Sequence, residues 1–212
     1  MELHFFYDLV CPYAYLASTQ VEGLAARTGA RLVWRPFLLG GVFRALGTAD
    51  DPNEGMSPAK ARNNLRDMER WAEHRGVPLR RPRGHPRRTV LALRALLAAG
   101  EGAARAAATH ALYRAYWVEG RDVEDPAVVA GALDAVGLHG SDLVARAGEQ
   151  REALFRVTAE AAAAGVFGAP AFLVGDQLFW GQDRLHFVER ALGGWKPAAL
   201  PAEATWRTGS QP

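Results

Sequence analysis

The sequence is poor in cysteine: the chain of 212 residues contains one, at position 11. A single thiol cannot form an intramolecular disulfide, which argues against a secreted protein stabilised by cross-links. The chain also lacks an apolar run close to the roughly 18 residues of a membrane-spanning helix. Its N-terminus, MELHFFYDLV, has neither the basic leader nor the long apolar segment of a signal peptide. We therefore expect a cytoplasmic protein that does not bind membranes.

An excess of charge of one sign is missing as well. The 25 Lys and Arg residues nearly balance the 23 Asp and Glu residues, for a net charge of +2, which gives no general signal for nucleic acid. The six histidines have no partner at i+4 and no cysteine companion, and no glycine motif for a nucleotide is present, so we predict no metal site. What is abundant is apolar: 49% of the residues are hydrophobic, enough for a sizeable core.

The N-terminal residues predict a β-α-β unit. A short aromatic strand is predicted over residues 3–7, followed by a helix that opens at Pro12 and ends at Gly29. A second strand is predicted over residues 31–34, where apolar and polar side chains alternate. Such a unit favours a right-handed crossover and parallel pairing of the two strands.

The middle of the chain, residues 57–164, shows almost no strand pattern and is rich in alanine. Ser57 and Pro58 are a favourable N-cap and first residue for the first helix of this block. Helices are predicted at about 58–74, 89–99, 103–118, 126–136, 142–147 and 149–164.

Strands return near the end, over residues 171–174 and 178–180, on either side of a hairpin turn of Gly175, Asp176 and Gln177. A last helix is predicted over residues 183–192. The outer blocks together predict an α/β fold with a four-stranded sheet, into which the helices are inserted. The division is residues 1–50 and 165–195 for the α/β domain, 51–164 for the all-helical insertion, and 196–212 for an extended tail.

Cys11 lies between the first strand and the first helix. The amino end of a helix offers unpaired N–H groups and a partial positive charge, both of which lower the pKa of a thiol. A strand-to-helix turn also lies at the carboxyl edge of the sheet, where α/β proteins bind ligands. We therefore predict a functional thiol; the alternative is a buried structural cysteine.

Pro170 directly precedes the third predicted strand. A cis bond between Ala169 and Pro170 would present the backbone of Ala169 to a ligand. The alternative is a trans proline that begins an edge strand.

Four motifs resemble one family. The chain reads FYDLVCPYAYL from Phe6 to Leu16, PFLLGG from Pro36 to Gly41, GVFGAP from Gly165 to Pro170, and WGQDRL from Trp180 to Leu185. Their order and spacing are similar to those of the 2-hydroxychromene-2-carboxylate isomerase and kappa-class glutathione transferase family, within the DsbA-like superfamily. The resemblance implies a thioredoxin-like fold with an all-helical insertion domain.

The resemblance also implies a site for glutathione or another low-molecular-weight thiol. Cys11 stands where the family has a serine, whose hydroxyl faces the glutathione sulfur. Ala169, before a cis-Pro170, is expected to pair through its backbone with the cysteinyl part of glutathione. Gln182 and Asp183 are expected to hold the γ-glutamyl end, and Asp183 could also cap the last helix.

Four further residues complete the predicted site. Asn53 is expected to contact the glycyl or the substrate side. Tyr13 is favoured for an aromatic substrate because it lies two positions after the cysteine. Arg87 and Arg88 end an arginine-rich loop that could attract a carboxylate; the alternatives for this loop are a solvated basic surface and nucleic-acid binding.

The function implied by the resemblance is a glutathione-dependent isomerase that interconverts 2-hydroxychromene-2-carboxylate and trans-o-hydroxybenzylidenepyruvate, in a homodimer. One alternative is a DsbA-like monothiol disulfide oxidoreductase or a kappa-class glutathione transferase that works through Cys11. Ala14 stands where a dithiol oxidase has its second cysteine, which argues against internal disulfide cycling. The other alternative is a protein that binds a thiol ligand without turnover.

Overall fold

The N-terminal β-α-β unit has the predicted form in the computed structural model, which describes residues 1–48 and 55–198. It consists of β1 (Glu2–Tyr7), α1 (Pro12–Thr28) and β2 (Arg31–Pro36). The two strands pair in parallel, from Glu2 opposite Arg31 to Tyr7 opposite Pro36. Gly29 ends α1 in the left-handed conformation, with φ of 64°, which glycine adopts without steric cost.

The helical block agrees with the predicted order, with ends that match the prediction or differ from it by at most two residues. Its helices are α3 (Pro58–Arg75), α4 (Val90–Ala98), α5 (Ala103–Trp117), α6 (Pro126–Asp134), α7 (Gly140–Ala145) and α8 (Arg151–Ala163), with a 3₁₀ turn at Arg146–Gln150. Ser57 caps α3 as predicted: its hydroxyl accepts a hydrogen bond from the Lys60 amide.

One helix was not predicted, α2 (Leu39–Ala45). It contains Gly40 and Gly41, which are poor helix formers. Its first turn is held by distant side chains: the Leu39 amide donates to Asp8 Oδ2 at 2.9 Å, and the Leu38 amide to Thr158 Oγ1 at 3.1 Å. Tertiary hydrogen bonds therefore stabilise a helix that local propensity does not favour.

The C-terminal block consists of β3 (Ala171–Val174), β4 (Gln177–Trp180) and α9 (Leu185–Leu192). A 3₁₀ turn over Gln182–Arg184 precedes α9, so the helix begins two residues later than predicted. The predicted N-cap role of Asp183 is therefore wrong: Arg184 occupies the N-cap, and no side chain caps the helix.

The sheet has the strand order β2-β1-β3-β4. Because β3 is antiparallel to both β1 and β4, strands β1, β2 and β4 run in one direction. Their last residues and the first residue of β3 therefore lie at one edge, which we call the carboxyl edge. Open α/β sheets bind their ligands at such an edge.

One hydrophobic core joins the sheet to the inserted helices. It contains Phe5 and Phe172 of the sheet as well as Leu96 and Tyr113 of the helical block. Because the inserted helices share this core, we propose residues 51–164 as an insertion in the order of the chain. The predicted tail, 196–212, lies outside the described residues except for its first three positions. Across 1–48 and 55–198, no helix is long and apolar enough to cross a membrane.

Candidate active site

Cys11 lies at the carboxyl edge, at the N-cap of α1. Its amide donates to the Asp8 carbonyl at 3.1 Å, which fixes the turn after β1. Its Sγ donates to the carbonyl oxygen of Ala169 at 3.1 Å, across 158 positions of sequence. The Ala169–Pro170 bond is cis. The structure therefore brings together the two features that the sequence singled out separately.

The prediction that the helix N-terminus lowers the pKa of the Cys11 thiol is wrong in its net direction. Only 8% of the residue is exposed, and burial raises its pKa to about 12. The amides of Ala14 and Tyr13 lower this pKa, as expected at a helix N-terminus, but the effect of burial is larger, and the Asp8 charge adds to it. At neutral pH, Cys11 is therefore a protonated thiol that donates a hydrogen bond.

This protonation state predicts a slow reaction with iodoacetamide, since only the thiolate is nucleophilic. At pH 7 we expect alkylation of the folded chain at least about tenfold slower than that of the urea-unfolded chain, with the rate still rising above pH 10. Mass spectrometry measures it directly, because the chain has one cysteine. A folded chain that reacts as fast as the unfolded chain at pH 7, or faster, would contradict a buried thiol of raised pKa.

Asp8, which sequence reasoning missed, organises this edge. It is 1% exposed and accepts hydrogen bonds from the Thr89 hydroxyl at 2.6 Å, the Leu39 amide at 2.9 Å and the Val10 amide at 3.2 Å. Burial raises its pKa, and these donors lower it. One carboxyl group thus joins β1 to α2 and to the start of α4; an aspartate directly after a buried strand was the only signal in the sequence.

The segment after β4 lies beside the Ala169–Pro170 peptide. Trp180 pairs with Ala171, and the Gly181 amide donates to the Pro170 carbonyl at 3.0 Å. These contacts place Gln182 and Asp183 next to the peptide whose carbonyl faces the thiol.

Gln182 is 2% exposed and is held by a residue that was not predicted, Arg75 at the end of α3. Arg75 donates to Gln182 Oε1 from Nη2 at 2.6 Å and from Nε at 3.1 Å, and to the Gln182 carbonyl from Nη2 at 3.0 Å. The helical block therefore reaches the predicted γ-glutamyl position directly.

Tyr13 lies at the same edge, partly buried. Its hydroxyl donates to Asp67 Oδ2 on α3 at 3.1 Å. Burial raises its pKa, and the charges of Asp67 and Asp183 raise it further. The phenol of Tyr13 therefore stays protonated, and the charge of Asp183, the residue predicted for the γ-glutamyl end, acts on it.

The other predicted residues are less closely tied to the thiol. Arg87 forms an ion pair with Asp122 at 3.4 Å, and the Arg88 amide donates to Glu124 Oε1 at 3.0 Å. No hydrogen bond or ion pair found in the described residues joins either side chain to Cys11. Their loop reaches the site through Thr89, which binds Asp8. Asn53 lies outside the described residues.

Comparisons with known proteins agree on one group. The DSBA-like thioredoxin domain family matches residues 2–193. A 2-hydroxychromene-2-carboxylate isomerase of Sphingobium xenophagum is 35% identical over 196 residues, which cover 90% of this chain and 97% of that protein.

Two solved structures are similar as well. A 2-hydroxychromene-2-carboxylate isomerase has a TM-score of 0.81 at 27% identity, covering 92% of this chain and 95% of that one. A probable DsbA oxidoreductase from Streptomyces coelicolor has a TM-score of 0.74 at 22% identity, covering 100% of this chain and 99% of that one; this second similarity shows a shared fold only.

Proposed function

Since the chain belongs to the DSBA-like thioredoxin domain family and, within it, to the 2-hydroxychromene-2-carboxylate isomerase family, we propose that it is a glutathione-dependent isomerase. Its substrate is a small aromatic carboxylate of the 2-hydroxychromene-2-carboxylate type. The family and the thioredoxin-like fold with a helical block, both predicted from the sequence, are confirmed. We further propose that the protein works in the cytoplasm, in line with its single cysteine, and that it is a homodimer, as the resemblance implies.

The observation that carries this proposal is the hydrogen bond from Cys11 Sγ to the Ala169 carbonyl at 3.1 Å. A protonated thiol in this place can donate to a thiolate, as the serine of the family does. The Ala169 carbonyl is an acceptor for the cysteinyl amide of glutathione. When that amide binds, the thiol hydrogen of Cys11 is free to turn toward the glutathione sulfur.

Glutathione, when bound, supplies a thiolate whose addition to the conjugated double bond allows rotation about that bond. The residues of the chain have the remaining tasks. Cys11 stabilises the thiolate by its hydrogen bond and so lowers the pKa of the glutathione thiol. Gln182 and Asp183 hold the γ-glutamyl end. Tyr13 offers an aromatic face beside Cys11, and the loop with Arg87 and Arg88 attracts the carboxylate.

The protonated state of Cys11 argues against the redox alternative. Thiol–disulfide exchange requires an attacking thiolate, and burial raises the pKa of this thiol to about 12. Ala14 also leaves Cys11 without a resolving cysteine. A thiol that donates a hydrogen bond suits an isomerase better than it suits a disulfide reductase.

The proposal predicts that conversion of 2-hydroxychromene-2-carboxylate to trans-o-hydroxybenzylidenepyruvate depends on glutathione. We expect no enzymatic rate without it and saturation as it is added, followed by the absorbance of the conjugated product. S-methylglutathione is the matched control: it should compete with glutathione but should not support turnover, because its sulfur cannot form a thiolate. Turnover without any thiol would contradict a thiol cofactor. Binding of glutathione without turnover would favour a thiol-binding protein.

A further inference from the structure

Arg75 is placed unusually for an arginine that ends a helix. It is the last residue of α3 and partly buried, with its guanidinium 5.3 Å from the centre of the Trp71 ring. Its side chain is directed at the β4–α9 connection and not at solvent, because it binds Gln182, 107 positions later. A charged group is held here against aromatic and buried surface.

The hydrogen bonds of Arg75 use one side of its guanidinium. Nε and Nη2 donate to Gln182, whereas Nη1 has no hydrogen-bond partner among residues 1–48 and 55–198. Over the same ranges Arg75 forms no ion pair. Burial lowers its pKa, and the charge of Asp183 raises it. The charge of Arg75 is thus partly desolvated and not matched by a carboxylate in contact, which favours binding of an anion.

We propose that Arg75 binds the α-carboxylate of the γ-glutamyl group of glutathione through Nη1, while Asp183 binds the α-amino group. The proposal rests on the proposed function. Arg75 and Asp183 flank Gln182, at the position to which the γ-glutamyl end is assigned. Asp183, which also pairs with Arg184, is near enough for its charge to act on Arg75, and an arginine with an aspartate matches the two charges of an α-amino acid group. Arg75 therefore selects a thiol that carries this group over one that lacks it.

The same carboxylate chemistry could come from the aromatic substrate, so binding is measured by calorimetry without substrate. Three ligands are compared: glutathione, 4-aminobutanoyl-cysteinylglycine, which lacks the α-carboxylate, and glutaryl-cysteinylglycine, which lacks the α-amino group. For the wild type, loss of the carboxylate should weaken binding about 10- to 100-fold, as expected for a hydrogen bond between charged groups.

In Arg75→Met, loss of the ligand carboxylate should weaken binding less than about threefold, whereas loss of the amino group should cost as much as in the wild type. Arg75→Lys, which keeps the charge without the planar fork, should lie between the two. Arg70→Met is the matched control, because Arg70 is an exposed residue of the same helix; it should behave as the wild type. Circular dichroism confirms that each variant is folded.

The outcomes separate the two proposals. If the wild type binds glutathione and removal of its carboxylate costs the same in the wild type and in both Arg75 variants, Arg75 does not bind the carboxylate and the glutathione proposal stands. If Arg75→Met weakens the binding of all three ligands by the same factor, Arg75 only positions Gln182, and its assignment to the carboxylate is wrong. If the wild type binds none of the three ligands, the glutathione site and the Arg75 assignment both fall.

Discussion

Replacement of Cys11 with alanine is expected to lower kcat of the isomerase about 100- to 1000-fold at saturating glutathione, whereas replacement with serine should retain activity within about fivefold. Removal of one preorganised donor from a developing or bound anion typically costs this much. Serine keeps a donor and is the residue of the family, and its hydroxyl is a stronger donor than a thiol. Initial rates of the three proteins, measured with the same glutathione titration, test the prediction.

The pair of variants also separates the roles open to Cys11. A hydrogen-bond donor is replaceable by serine, but a nucleophilic sulfur is not. If Cys11→Ser were as inactive as Cys11→Ala, and if both had lost a glutathione-dependent disulfide reductase activity of the wild type, Cys11 would react covalently. Alkylation of a buried thiol could fail for steric reasons alone, so this kinetic comparison is the more decisive of the two tests on Cys11.

Asp8→Ala is expected to lower the free energy of unfolding by about 3 kcal/mol. The substitution leaves the Thr89 hydroxyl and the amides of Leu39 and Val10 without their acceptor, and each unsatisfied buried donor costs about 1–3 kcal/mol. The substitution also removes the free-energy cost of burying the carboxyl group, which offsets part of this loss of stability. Urea unfolding followed by circular dichroism measures the difference.

Thr89→Val is the matched control for the same carboxyl group, because it removes one of the donors. It should cost about 1 kcal/mol, and Thr89→Ser should restore most of it. A loss in Asp8→Ala no larger than that in Thr89→Val would show that Asp8 is not the common acceptor of the three elements.

The effect of Asp8 should also depend on pH. Burial raises its pKa in the folded state, so the folded state binds the proton more tightly than the unfolded state. The stability that this proton contributes is complete below the ordinary pKa of about 4 and is lost as the pH rises through the higher folded value. The gap between wild type and Asp8→Ala should therefore be wider at pH 4 than at pH 8.

Local patterns predicted much of the fold. Pro12 and Gly29 bound the first helix as expected, and alanine content located the inserted helices within a few residues. Helix α2 was missed because Gly40 and Gly41 oppose it locally, and because its stabilising partner, Asp8, lies 31 positions away from the amide that it binds.

The candidate site divides in the same way. The motif around Cys11 and the proline at position 170 predicted two features that the structure brings together, since both are short local signals. The predicted shift of the Cys11 pKa was wrong in direction. The helix N-terminus, which lowers the pKa, is visible in the sequence, whereas the burial that outweighs it is not. Arg75 was missed for a related reason: its partner lies 107 positions later, and nothing in its own segment marks it.

The order of strands has a consequence for the nascent chain. Synthesis delivers β1 first, but its partner β3 pairs Ala171 with Phe6 and leaves the ribosome only after every inserted helix. During that time one side of β1 is an unpaired apolar edge, which is a hazard for association with other chains. Cys11 also lacks its hydrogen-bond acceptor, the Ala169 carbonyl, until then. The segment of Ala169 and β3, which follows the inserted helices, therefore both pairs with β1 and supplies the hydrogen-bond acceptor of the thiol.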